Sequence, residues 1–111
     1  ALYTDSATLD PSTTTIYTAL NEVSGAGYTA GGLILVPTAP ASSGTTAYES
    51  FADAVWTGAS FTANGALIYN STQGNRAVAI LAFGGNKTPV ANTFTVQFPV
   101  NGSTTSVLRF Y

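Results

Sequence analysis

Hydrophobic and polar positions change their period about a third of the way along this chain. Before residue 31 apolar residues are sparse, and the only helical spacing is Ile16, Leu20 and Val23, at i, i+4 and i+7. Asp10-Pro11-Ser12 offers an N-cap and a first-turn proline ahead of it, and Gly25 stands where a helix would close. The β-branched run Thr13-Thr14-Thr15 opposes helix formation. One short N-terminal helix or turn is therefore expected. Gly25-Ala26-Gly27 and Gly31-Gly32 bracket Tyr28 in what reads as a shaped loop.

From residue 32 strand-like runs take over. Leu33-Ile34-Leu35-Val36 is a continuous apolar run stopped by Pro37 and Pro40, and residues 39–45 read as a turn region. Residues 46–52 and 54–61 follow as strands. Residues 65–70 and 76–83 flank Ser71-Thr72-Gln73-Gly74-Asn75, a segment of hairpin-turn composition, so these two strands are expected to pair. Phe94, Val96 and Phe98 alternate with Thr95 and Gln97, one face in and one out. Asn101-Gly102 signals a tight turn, and Val107-Leu108-Arg109-Phe110-Tyr111 a last strand. Six or seven short strands with closely spaced turns predict an all-β fold: an antiparallel β-sandwich or a jelly-roll-like barrel. The 111 residues fit one domain, with a loop-rich N-terminal arm over 1–30 and a strand-rich body over 31–111.

Composition narrows the chemistry. The chain has no histidine, no cysteine and no methionine, and only 7% of its residues are charged. Most side chains that transfer protons, attack as nucleophiles or bind soft metals are thereby missing, so neither an enzyme nor a cofactor is expected. The net charge is −2, and Arg76, Lys87 and Arg109 form no basic stripe. This argues against a nucleic-acid partner. No apolar run approaches the roughly 20 residues that cross a bilayer, and no signal peptide is expected, since nothing basic precedes an apolar segment at the start. Ordinary soluble domains carry about 25% charged residues. A surface this neutral suits packing into a larger assembly, where burying charge is costly, or facing a sugar.

The candidate sites are few. Glu49 and Asp53 are the closest acidic pair, but four residues of extended chain separate them by about 13 Å along one face, a poor fit to a glycosidase. Trp56, Tyr48, Tyr69 and Tyr28 would make an aromatic platform for sugar rings, although Trp56, between Val55 and Thr57 in a strand, is better placed for a core. Asp5, Asp10 and Asn21 lack calcium-loop spacing, and no other metal site is expected. No phosphate-binding glycine loop or nucleophile elbow occurs. The sequons at Asn70, Asn86 and Asn101 are of the kind that chance supplies in a Ser/Thr-rich chain.

Asn21-Glu22-Val23-Ser24-Gly25-Ala26-Gly27-Tyr28-Thr29-Ala30-Gly31-Gly32 resembles a segment of small structural proteins of tailed bacteriophages. Asp53-Ala54-Val55-Trp56, the stretch from Thr62 to Asn70, Phe83-Gly84-Gly85 and the Thr93–Val96 run follow in similar order. Over nearly its whole length the chain looks most like the capsid decoration, or staple, proteins of epsilon15-type podoviruses. The resemblance implies a β-sandwich or jelly-roll-like domain on the outer surface of the virion head. There it would bridge neighbouring major capsid proteins, as a homodimer at two-fold positions, and hold the shell against packaged DNA. It carries over no catalytic residue. A carbohydrate-binding or host-attachment module is the alternative. For a docking role the aromatics of the N-terminal third, Tyr3, Tyr17 and Tyr28, are the expected partner contacts, since tyrosine anchors interfaces well.

Overall fold

A computed structural model describes residues 1–99 and the strand at 108–110. The fold is all-β, and no helix occurs among the described residues. Eight strands follow in order: β1 (Leu2–Tyr3), β2 (Ala41–Ser43), β3 (Thr46–Glu49), β4 (Ala54–Ala59), β5 (Ala63–Asn70), β6 (Arg76–Lys87), β7 (Asn92–Val96) and β8 (Leu108–Phe110). They form three small sheets, ordered β1-β5-β6, β2-β3-β8 and β4-β7. The chain groups into two units, each built from two separated segments: Ala1–Leu33 with Trp56–Thr93, and Ile34–Val55 with Phe94–Tyr111.

In the first unit the expected hairpin forms as β5 and β6, antiparallel from Ala63↔Lys87 to Asn70↔Arg76. Its turn holds itself together. Asn70 Oδ1 accepts from the Thr72 amide at 3.1 Å and the Thr72 hydroxyl at 2.6 Å, an Asx turn that needs no outside partner. β5 lies between β1 and β6, and Ala66, Leu67 and Ile68 are all buried, as a central strand covered on both faces should be. Leu2, Tyr3, Val23, Trp56, Phe61 and Leu67 complete this core. A change of phase along β4 brings Trp56 and Phe61 into it together. Ala54 and Trp56 are buried at period two, then Ala59, Phe61 and Ala63. The shift by one falls at Gly58, whose φ of 58° is the left-handed conformation a glycine adopts without strain.

The N-terminal helix does not form. Asp10 does cap a turn, its Oδ1 accepting from the Ser12 amide at 2.8 Å and its carbonyl from the Thr14 amide at 2.8 Å. The next residues are then drawn into extended pairing. Tyr17 N donates to Asn75 O at 2.9 Å, Ala77 N donates to Thr15 O at 3.0 Å, and Ile16 bridges Arg76. One turn closed by a single side chain cannot propagate against three β-branched residues and a strand edge offering its own hydrogen bonds. Ile16 and Leu20, the expected inner face of that helix, are 53% and 73% exposed.

In the second unit β2 and β3 form a hairpin around Gly44-Thr45, and β3 pairs on its other side with β8. A strand thus runs where a plain turn was expected at 39–45. The Leu33-Ile34-Leu35-Val36 run, conversely, is not a strand. Among the described residues its pairing is limited to its C-terminal end, where Ala52 N donates to Val36 O at 2.8 Å beside the isolated Pro37↔Phe51 bridge and Thr38 N donates to Ser50 O at 2.9 Å. Proline has no N–H to carry a ladder further, and Ile34 and Val36 stay 95% and 64% exposed. Phe94, Val96 and Phe98 are half-buried while Thr95 and Gln97 are exposed, as the alternation predicts. The Asn101-Gly102 turn lies outside the described residues.

These exposures set a stability contrast. Leu67→Ala should cost about 3 kcal/mol, within the roughly 2–5 kcal/mol range for fully buried leucines, whereas Ile34→Ser should change stability by less than about 0.5 kcal/mol. Urea melts of the two variants check this, and equal losses would contradict the assignment of the core.

Candidate functional site

The densest polar cluster of the first unit surrounds Glu22. Backbone pairing sets its position. Tyr3 bridges Glu22, Thr4 N donates to Asn21 O at 3.0 Å, and Val23 N donates to Leu2 O at 3.0 Å. Residues 21–23 thereby line the edge of β1 that β5 leaves free. Asn21 enters this pairing with φ at 61°, a conformation asparagine tolerates better than most residues. From there the half-buried Glu22 carboxylate accepts three hydrogen bonds: from Tyr17 Oη at 2.7 Å, Tyr28 Oη at 2.6 Å and the Gly31 amide at 2.7 Å. Tyr28 Oη also accepts from Leu2 N at 2.9 Å. Tyr69 Oη donates to Gly31 O at 2.8 Å, and its ring stacks on Tyr17 at 4.7 Å.

The carboxylate controls the phenols that face it. The hydrogen bond to Glu22 holds the Tyr17 hydroxyl far above the ordinary tyrosine range. Burial, reinforced by the same bond, does so for Tyr28. Nearby, the α-amino group of Ala1 donates to Leu67 O at 2.9 Å. Burial depresses it to about 6, an effect that the negative Glu22 only partly offsets.

The loop that carries Tyr28 lies flat against β4. Ala26 bridges Ser60, with Ser60 N donating to Ala26 O at 2.9 Å. At Gly27, φ is 82°, and a Cβ there would stand 2.8 Å from Thr57 O. Only glycine fits. This contact brings the Tyr28 ring to 6.4 Å from Trp56 and 5.9 Å, edge-on, from Phe61.

The three tyrosines expected at a partner contact are thus gathered around Glu22. Tyr3 is 1% exposed, with its hydroxyl donating to Thr18 O at 2.7 Å. Tyr17 and Tyr28 are half-buried and their hydroxyls are committed inward. Of the aromatic platform, Trp56 is 6% exposed and packs in the core, while Tyr48 sits on β3 in the other unit. Both carboxylates of the acidic pair are engaged. Glu49 Oε1 accepts from Thr38 Oγ1 at 2.6 Å and Ser50 N at 2.9 Å, and Asp53 Oδ1 from Phe98 N at 3.0 Å. Asp5 accepts from Asn86, Asp10 caps its own turn, and Asn21 donates to Ser6 O. No group of three or more His, Cys, Asp or Glu that could hold a metal occurs among the described residues.

No family model, curated protein or solved structure matches the chain. The Glu22 cluster acts as a clasp: its hydrogen bonds among the described residues run to groups of the chain itself. Sequence reasoning passed over Glu22. The available signal was one acid within six positions of Tyr17 on one side and Tyr28 on the other, in a chain of five acids. The Thr38–Glu49–Ser50 network of the second unit was missed too. There Ser50, fully buried, donates its hydroxyl to Pro99 O at 2.8 Å.

Two outcomes follow for the clasp. Tyr28→Phe should destabilise by about 2–3 kcal/mol and Tyr17→Phe by about 1–2 kcal/mol, because only the first also leaves the Leu2 amide without its acceptor. Thermal or urea melts of the pair check the order, and a larger loss for Tyr17→Phe would contradict it. Stability should also vary with pH. Tyr17 and Tyr28 bind their protons more tightly in the folded state, so stability falls above about pH 10, where the unfolded chain begins to release them. Melts across pH, with phenolate absorbance followed in parallel, should show both tyrosines ionising only as the chain unfolds.

Proposed function

We propose that this chain is a non-catalytic structural protein of a virion. It decorates the outer surface of the capsid and joins neighbouring major capsid proteins, with two copies pairing at two-fold positions. The observation that carries the reading is the make-up of the exposed surface. Ile34, Val90, Leu20 and Val36 are 95%, 75%, 73% and 64% exposed, on a chain with only 7% charged residues. Bare aliphatic side chains with few charges around them suit burial against another protein, where desolvating charge is the main cost. The resemblance to phage decoration proteins points the same way.

Two further observations weigh against the alternatives. A sugar-binding platform loses its largest ring, because Trp56 is in the core. A glycosidase loses its acid–base pair, because Glu49 and Asp53 each hold part of the backbone in place. Repetition over a shell then adds avidity to contacts that are individually modest.

Co-sedimentation of the purified protein with phage heads that lack it is the test. Saturable binding at a fixed ratio to the major capsid protein is the expected result. Heads that sediment without it would overturn the proposal.

A further inference from the structure

β6 ends its sheet, in the order β1-β5-β6, so one side of it carries no further strand. Which of its backbone groups face outward follows from the far side of β5. Leu67 N donates to Ala1 O and Leu67 O accepts from Ala1 N, each at 2.9 Å. Leu67 therefore turns its backbone groups to the β1 side, and Ala66 and Ile68 turn theirs to β6. Their partners Leu81 and Ala79 face β5 in turn. That leaves the N–H and C=O of Ile80 and Ala82 directed out of the sheet, with no partner among the described residues. Both ends of this edge are closed. Thr15, Ile16 and Tyr17 occupy it beside Asn75, Arg76 and Ala77. At the other end φ values of 75° at Gly84 and 150° at Gly85 turn the strand, and its register against β5 jumps between Gly65↔Ala82 and Ala63↔Lys87. Between Arg76 and Lys87 the strand has neither charge nor proline, two devices that ordinarily stop edge pairing. Val78, 47% exposed, and the exposed Ala82 lie along the open stretch.

We propose that this edge joins two copies of the chain, β6 pairing antiparallel with the partner's β6 about a two-fold axis at Leu81. The place of such a pair on a shell rests on the function proposed above. Under that axis Ile80 lies opposite the partner's Ala82, and Ala82 opposite the partner's Ile80. Each pair exchanges N–H···O=C bonds in both directions, as the hydrogen-bonded pairs of an antiparallel ladder do. An edge whose outward groups match themselves in this way is what a two-fold interface requires. At the axis the half-buried Leu81 meets the partner's Leu81 in the closer, non-hydrogen-bonded type of pair, which favours apolar contact. The kink fits as well. The partner's Gly84 comes opposite Val78 and the partner's Gly85 opposite Ala77, so the incoming strand turns where Thr15, Ile16 and Tyr17 already fill the edge. An unkinked strand of another protein would run into that segment, so the geometry favours a second β6. Two sheets of three strands then become one of six.

Ala82→Pro is the sharpest test, because it removes an outward N–H and no bond to β5, a place where an edge strand tolerates proline. Ala82→Lys adds an edge charge and leaves the backbone intact, and melting checks that both variants fold. Sedimentation equilibrium at rising concentration should show the wild type passing from monomer to dimer, with the dissociation constant raised about tenfold or more in each variant. Over the same range the wild-type Ile80 and Ala82 amides should gain protection from hydrogen exchange. A wild type that stays monomeric, or a dimer that Ala82→Pro leaves intact, would overturn the edge, and saturable binding to phage heads would still uphold the decoration role. A dimer lost in both variants, beside heads that bind no wild-type protein, would uphold the edge and overturn the decoration role. A monomeric wild type whose head binding Ala82→Pro abolishes would mean that a strand of the shell protein takes the edge, and would also overturn the proposal.

Discussion

The first unit depends on a single carboxylate. Residues 1–33 contribute only the two-residue strand β1 to its sheets, and beyond it they are tied by isolated bridges, not by continuous ladders. Glu22 compensates by gathering Tyr17, Tyr28 and Gly31 onto one side chain. Hydrogen bonds to a charged acceptor are about twice as strong as neutral ones. Here the three donors are two phenols and a backbone amide of the chain itself. That explains how a chain with three basic residues can order a long irregular segment with no disulfide.

The second unit repeats the arrangement at a smaller scale. Thr38 Oγ1 donates to Glu49, which also accepts from Ser50 N, and the buried Ser50 hydroxyl reaches Pro99. Once more an acid with hydroxyl partners holds irregular chain against a short strand. Satisfying every member matters at Ser50, because a buried polar group left without a partner costs about 1–3 kcal/mol.

The all-β class was legible because long-range pairing agreed with local pattern. Residues 65–70 and 76–83 carry strand-forming residues around a self-sufficient turn, and they pair as expected. Phe94, Val96 and Phe98 needed only the period of two. The failures came where tertiary pairing overrode a local signal. The Asp10 cap is present, yet Thr15 and Tyr17 satisfy their backbone groups on Ala77 and Asn75 instead of within a helix. The Leu33-to-Val36 run has strong strand propensity but is followed by Pro37, which cannot extend a ladder. The Glu22 clasp was illegible for another reason. Its donors lie five, six and nine positions away, spacings that belong to no regular element, so periodicity gave no hint that they converge.

The interleaving of the two units has a consequence for the order of events in synthesis. Ala1 bonds to Leu67, 66 positions later, and the first unit draws on residues up to Thr93. The N-terminal segment therefore emerges from the ribosome well before the strand it pairs with, and the second unit begins while the first is still incomplete. The first unit cannot close until its last segment, up to Thr93, has emerged, and contacts this distant form slowly because loop closure must precede them. In the meantime the exposed Leu-Ile-Leu-Val run, the chain's most aggregation-prone stretch by composition, is already outside and uncovered. The prolines that follow it, at positions 37 and 40, then act as gatekeepers over the nascent chain.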